Sequence, residues 1–105
     1  MIIEKTEDNG TIIWRLNGIT HRDDGPAIVW EDGAQSWYQH GQLHRVDGPA
    51  YIGPNGARYW YLNSVYHRTD GPAIEYADGE KFWFLFGVKY DPVTWMIKVH
   101  ELGSK

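Results

Sequence analysis

The phrase His-Arg-x-Asp-Gly-Pro-Ala occurs three times, at residues 21–27, 44–50 and 67–73, each copy starting 23 residues after the one before. A period of this size marks a repeat array, whose unit is one supersecondary element that buries its apolar surface only against a neighbour. The same step places Gly10, Gly33, Gly56 and Gly79 in register, and likewise Trp14, Trp37, Trp60 and Trp83. Gly18, Gly41 and Gly87 also align, with Ser64 in the remaining place. The ends depart from the pattern. Residues 1–9 stand where a first phrase would be and carry none of it, and the fourth copy is reduced to Tyr90-Asp91-Pro92. Atypical terminal units are what an array needs as caps. The expected organisation is one repeat domain over 1–105: an N-terminal cap hairpin at 1–20, repeats at 21–43, 44–66 and 67–89, and a C-terminal helix at 91–102.

Turn residues punctuate each unit. Asp32-Gly33, Asn55-Gly56 and Asp78-Gly79 are dipeptides that suit type I′ hairpin turns, as is Asn9-Gly10 near the N-terminus, and a further turn falls near Gly41 and Gly87. Each unit is therefore expected to be two strands. Because side chains alternate across a sheet, one face of the second strands carries the Trp column, and the other carries Tyr38, Tyr59, Tyr61 and Phe84. The Trp column is expected to form the core, stacked ring on ring and against a terminal helix. That helix is signalled by Asp91 as N-cap and Pro92 at the first helical position, with Trp95, Met96, Val99 and Leu102 as its apolar stripe. The fold class is all-β: a repeat-built, twisted antiparallel sheet of hairpins with one C-terminal capping helix.

Composition excludes several functions. With 10 basic and 14 acidic residues the net charge is −4, which disfavours sequence-independent nucleic-acid binding, since that draws its affinity from neutralising phosphates. There is no cysteine, hence no disulfide framework or thiolate chemistry. No apolar run approaches the roughly 18–20 residues of a membrane span, and no basic-then-apolar leader opens the chain, so a cytoplasmic protein is expected. Nucleophile elbows and phosphate loops are lacking, and no catalytic residue, enzyme activity, metal or cofactor is expected. A ladder whose histidines recur two strands apart, roughly 10 Å, spaces them too widely for zinc.

A 23-residue unit built of a Gly-punctuated hairpin with recurring aromatics, here the pairs Trp37-Tyr38, Trp60-Tyr61 and Trp83-Phe84, resembles the MORN repeat. The likeness covers about residues 10–90 and is nearest to MORN-like variants of viral and bacterial proteins. It implies a non-catalytic scaffold that acts through protein interaction.

The phrase itself offers candidate contact residues: a His column (His21, His44, His67) and an Arg column (Arg22, Arg45, Arg68). Their structural reading is that Asp accepts backbone N–H bonds in the turn, Gly supplies positive φ, and His and Arg clamp the next repeat. Recurrence in every unit favours that reading, because a structural device is needed once per repeat while a ligand needs one copy. Two functions follow. The first is a protein-interaction module, with homodimerisation as its simplest form, acting through the Arg and His columns and the aromatic face at Tyr38, Tyr59, Tyr61 and Phe84. The second is a binder of an anionic, nucleotide-like small molecule, with the Arg column on phosphate and an aromatic ring on the base.

Overall fold

Fourteen short strands and one helix form the chain in the computed structural model, which describes residues 2–103. The N-terminal hairpin pairs β1 (Ile3–Asp8) with β2 (Thr11–Leu16), and β3 (Ile19–Thr20) folds back on the end of β2. The next unit supplies β4 (Ile28–Val29), β5 (Gln35–Ser36), β6 (Tyr38–Gln39) and β7 (Gln42–Leu43). Its successor supplies β8 (Tyr51–Ile52), β9 (Arg58–Tyr59), β10 (Tyr61–Leu62) and β11 (Val65–Tyr66). The last supplies β12 (Ile74–Glu75), β13 (Lys81–Leu85) and β14 (Val88–Tyr90), and the chain then enters α1 (Pro92–Gly103). All these pairings are antiparallel, so the fold is all-β with a single helix closing its C-terminal end.

Each unit builds two hairpins, where two strands were expected. The wide hairpins β4–β5, β8–β9 and β12–β13 join edge to edge behind β1 and β2 in one long sheet. The narrow hairpins β2–β3, β6–β7, β10–β11 and β13–β14 form a second row. Successive narrow hairpins are tied by their turn amides: Gly41 N–H donates to Thr20 O at 2.9 Å, Ser64 N–H to Leu43 O at 2.8 Å and Gly87 N–H to Tyr66 O at 2.8 Å. At the ends one strand serves both rows, β2 running through Trp14 and β13 through Trp83; in the interior it breaks at Trp37 and Trp60. The alanine of each phrase laces the units together. Ala50 N–H donates to Tyr59 O and Ala50 O accepts from Trp37 N–H, and Ala27 and Ala73 repeat both bonds.

The two rows use different turns. In the narrow hairpins both central residues have positive φ: Asn17-Gly18, His40-Gly41, Asn63-Ser64 and Phe86-Gly87, with 49–51° at the first and 68–83° at the second. These are type I′ turns, as is Asn9-Gly10. In the wide hairpins only the glycine is left-handed, at 93–95° for Gly33, Gly56 and Gly79. Gly33 N–H donates to Trp30 O, and Trp30 N–H to Ala34 O, which is a type I turn closed by a glycine bulge. The type I′ expectation is therefore corrected here. Asp32, Asn55 and Asp78 instead stay right-handed and accept the N–H two residues on, at 3.0, 3.4 and 2.9 Å. Pro54 occupies the second turn position, where its fixed φ fits type I.

With extents of 44 × 33 × 18 Å and a radius of gyration of 15.3 Å, against roughly 13 Å for a compact chain of this length, the array is elongated and thin. Its buried apolar residues are small or aliphatic: Ala27, Ala50 and Ala73 at 0% exposure, with Ile28, Ala34, Ala57, Ile74 and Leu85. The four Trp rings are only half-buried, so the expected all-Trp core is corrected. A sheet with no second layer leaves room for alanine at its laced joints and none for a stack of indoles. The helix stripe is likewise narrower than expected. Trp95 and Val99 are half-buried and Trp95 Nε1–H donates to Arg68 O at 3.2 Å, whereas Met96 and Leu102 are exposed. Asp91 caps the helix as the sequence implies, accepting Thr94 N–H at 2.9 Å and Thr94 Oγ1–H at 2.7 Å, and these bonds hold its carboxyl below the usual range.

Candidate functional site

Register sorts the side chains of the long sheet into two rows. One runs Ile13, Ile28, Ser36, Tyr51, Tyr59, Ile74, Phe82; the other runs Ile12, Val29, Gln35, Ile52, Arg58, Glu75, Lys81. The Trp and Arg columns belong to the second face, since Glu75 bridges Arg58 Nη2 at 2.7 Å and Arg68 Nη1 at 3.1 Å.

On that face the phrase is a clamp. Each guanidinium lies over the indole of the preceding unit's Trp: Arg22 on Trp14 at 4.3 Å, Arg45 on Trp37 at 4.0 Å and Arg68 on Trp60 at 3.7 Å. Nε donates to the phrase's aspartate, Asp24, Asp47 or Asp70, at 2.8–3.2 Å. Nη1 donates to the phrase's proline carbonyl, Pro26, Pro49 or Pro72, at 3.0–3.1 Å. The Arg column thus clamps its own phrase onto the preceding repeat and not the next one. The phrase glycines are not left-handed either. A Cβ on Gly25, Gly48 or Gly71 would meet the guanidinium carbon at 3.1, 2.9 or 2.8 Å, so glycine is there to make room for arginine.

The His column ties the start of each repeat to the narrow turn that closes the same repeat, and so does not clamp the next one either. Nδ1 of His21, His44 and His67 accepts the N–H of the left-handed residue in the following narrow turn: His40 at 2.9 Å, Asn63 at 3.2 Å and Phe86 at 2.9 Å. An accepting Nδ1 requires the proton on Nε2, and in the first copy that Nε2–H donates to Asp23 Oδ1 at 2.9 Å. Burial pushes the His67 imidazole pKa down. Between successive phrases lie grooves that recur with the repeat, one of about 750 Å³ bordered by Arg22, Trp37, His44 and Arg45, and one of about 560 Å³ bordered by Arg45, Trp60, His67 and Arg68. The aspartates at their mouths are 83–87% exposed, while the arginines are 18–26% exposed. Among the described residues no group of three or more His, Asp or Glu is placed to hold a metal ion.

The opposite face is aromatic and concentrated in the later units. Tyr59 meets Tyr51 edge-on at 5.5 Å and Tyr76 edge-on at 6.0 Å. It also faces Tyr66 at 6.4 Å, and Tyr66 contacts Tyr61 at 4.6 Å and Phe84 at 4.9 Å, which joins the two hairpin rows. Leu43, Tyr51, Tyr59 and Tyr61 border a shallow groove between the rows. Burial pushes the phenols of Tyr59 and Tyr61 up, so both remain protonated hydrogen-bond donors. Of the expected aromatic set, Tyr59, Tyr61 and Phe84 come together; Tyr38 lies in β6, half-buried, with its carbonyl accepting Arg22 N–H at 3.2 Å. Sequence reasoning missed Tyr51, Tyr66 and Tyr76 as members of this cluster. The signal was in the register, which puts residue 51 opposite residue 59, and residue 61 opposite 66.

No family model, curated protein or solved structure matches this chain. The geometry above is thus the basis for a functional reading. Among the described residues no helix is long and apolar enough to cross a membrane.

Proposed function

We propose that the chain is a non-catalytic, MORN-like interaction module whose protein partner lies against the aromatic face. The observation that carries this reading is the contrast between the two faces. The Nε and Nη1 atoms of the recurring arginines and the Nδ1 atoms of the recurring histidines are bonded inside the array. Tyr51, Tyr59, Tyr61, Tyr66, Tyr76 and Phe84 instead form a half-exposed cluster with no layer over it. Tyrosine clusters of this kind supply large contact area at low conformational cost and dominate interface energetics. An anionic small molecule approaching the Arg face would first meet Asp24, Asp47 and Asp70.

Homodimerisation is the simplest version. β1 is the longest edge strand, all six of its residues are exposed, and edge strands invite pairing. Light scattering on the eluting peak of a size-exclusion column tests it, and a strict monomer removes it. For the partner, affinity capture with the wild type and with a Tyr61→Ala/Tyr66→Ala variant of unchanged circular dichroism is decisive. A stoichiometric protein retained by the first and lost by the second supports the reading. Its retention by both, or a small molecule released from the purified protein on denaturation, refutes it.

A further inference from the structure

The repeat exposes a gap on the aromatic face. Trp30, Gly53 and Tyr76 hold the same register position, two residues beyond Ile28, Tyr51 and Ile74. In the first of these units Trp30 folds over its own hairpin, donating Nε1–H to Ser36 Oγ at 3.0 Å. In the third, Tyr76 does the same against Phe82, edge-on at 5.7 Å. The middle unit has glycine there, and a concavity of about 410 Å³ opens, bordered by Gly53, Asn55, Ala57, Tyr51, Tyr59 and the Tyr76–Asp78 segment of the neighbouring unit. For scale, an apolar cavity of about 150 Å³ accepts benzene. Tyr51, which stands where the flanking units have Ile28 and Ile74, and Tyr59 line the concavity and do not close it. Nothing in the backbone demands glycine either. Gly53, buried at the floor of the concavity, is not left-handed, and the atoms nearest to a Cβ on it would be Asn55 Oδ1 at 3.3 Å and the Cβ and carbonyl oxygen of Ala57 at 3.7 Å.

We infer that this vacancy is a binding site for an aromatic side chain with an N–H donor, a tryptophan of a partner protein, which completes the pattern that Trp30 and Tyr76 complete in cis. The flanking units show the chemistry that fits: an indole hydrogen-bonded to the strand beneath it, or a ring packed edge-on against its neighbours. Edge-on packing is the arrangement that aromatic quadrupoles favour, and Tyr51, Tyr59 and Tyr76 supply the partners. The rim carries one carboxylate, Asp78, whose Oδ1 accepts Glu80 N–H and whose second oxygen is left to accept from a ligand, in a chain of net charge −4. The tryptophan is therefore flanked by basic residues. The site is also unique in the array, unlike the Arg clamps, as a single ligand requires. The proposal rests on the interaction-module reading and narrows it to one seat.

The probe is the acetylated, amidated tripeptide lysine-tryptophan-lysine, titrated into the full chain by amide proton–nitrogen correlation spectroscopy. Shifts at Gly53, Ala57, Tyr59 and Asp78 are expected. Replacing the probe's tryptophan by leucine should abolish them, and replacing its lysines by glutamates should weaken binding. Gly53→Trp supplies the ring in cis and should eliminate binding in a protein of unchanged or raised melting temperature. Should that variant not fold, Gly53→Tyr serves the same purpose. Tyr59→Ala should weaken the probe by roughly two- to tenfold, the worth of one edge-on partner. The leucine probe binding as well as the tryptophan probe, shifts confined to other faces, or a folded Gly53→Trp that still binds would each overturn the proposal. A partner captured equally by wild type and Gly53→Trp would overturn the seat while leaving the module reading intact.

Discussion

Replacing Gly71 by alanine separates two accounts of the phrase glycine. At a right-handed or extended position, Gly→Ala ordinarily stabilises a protein by about 0.4–1 kcal/mol, because it restricts the unfolded chain. Here the new methyl would lie 2.8 Å from the guanidinium carbon and 2.9 Å from Nη1 of Arg68. The guanidinium must withdraw by about 0.7 Å to reach ordinary contact distance. It is held against Trp60 at 3.7 Å, by Pro72 O at 3.0 Å and by Glu75 Oε2 at 3.1 Å, with both Arg68 and Glu75 less than one-fifth exposed. Losing one charge-assisted bond costs about 1.5–3 kcal/mol, and loosening the cation–π stack about 0.5–1 kcal/mol more. Set against the gain in the unfolded state, the net loss is about 1–3 kcal/mol, at about 4–8 °C of melting temperature per kcal/mol. Gly48→Ala, at 2.9 Å, should cost somewhat less, and Gly25→Ala, at 3.1 Å, should be nearly neutral. Urea unfolding followed by circular dichroism gives all three values. The decisive measurement is the cycle with Arg68→Ala: once the arginine is gone, Gly71→Ala should turn neutral or stabilising. Equal stabilisation at all three glycines, or a cost at Gly71 that persists without Arg68, would refute the room-making role.

Three further outcomes follow from the same geometry. Burial depresses the His67 pKa, so its folded value lies below the unfolded one near 6.5, and its contribution is complete above that pH and lost as pH falls through the folded value. Melting temperature should therefore drop on acidification, and His67→Asn, which keeps an acceptor for Phe86 N–H, should flatten the curve; an unchanged slope would dissociate His67 from it. Asp91→Ala removes the acceptor of Thr94 N–H and should lower that amide's protection against hydrogen exchange relative to its intrinsic rate, as should lowering the pH of the wild type through the depressed carboxyl pKa; unaltered protection would dismiss the cap. Ala50→Val adds two methyl groups at a residue with no exposed surface whose N–H and C=O are both laced across the units, and overpacking there should cost about 1–3 kcal/mol in urea unfolding; a neutral result would show slack at the joint.

What the sequence made legible is whatever depends on period alone. The step of 23 located the units, the aligned glycines located the turns, and Asp91-Pro92 located the start of the helix. Turn type was harder, because Asp-Gly and Asn-Gly serve both a type I′ turn and a type I turn with a glycine bulge, and loop length decides between them. The four narrow turns show the limit of residue preference. Phe86 and His40 take the left-handed φ that Asn17 and Asn63 take, because tertiary ties fix the turn: Phe86 N–H and His40 N–H are received by His67 and His21. The Trp column misled for a different reason. A large apolar ring suggests a core, yet a one-layer sheet has no second surface to bury it, and the array covers the indoles of Trp14, Trp37 and Trp60 with the guanidinium eight residues on. That solution explains the phrase letter by letter: arginine caps the indole, aspartate and the proline carbonyl hold the arginine, glycine yields space to it, and alanine fits the joint. Deviation from the repeat then becomes the informative signal for function. Where every unit needs a residue, the residue serves the fold; where Gly53 departs from Trp30 and Tyr76, the fold has left a place that its own chain does not fill.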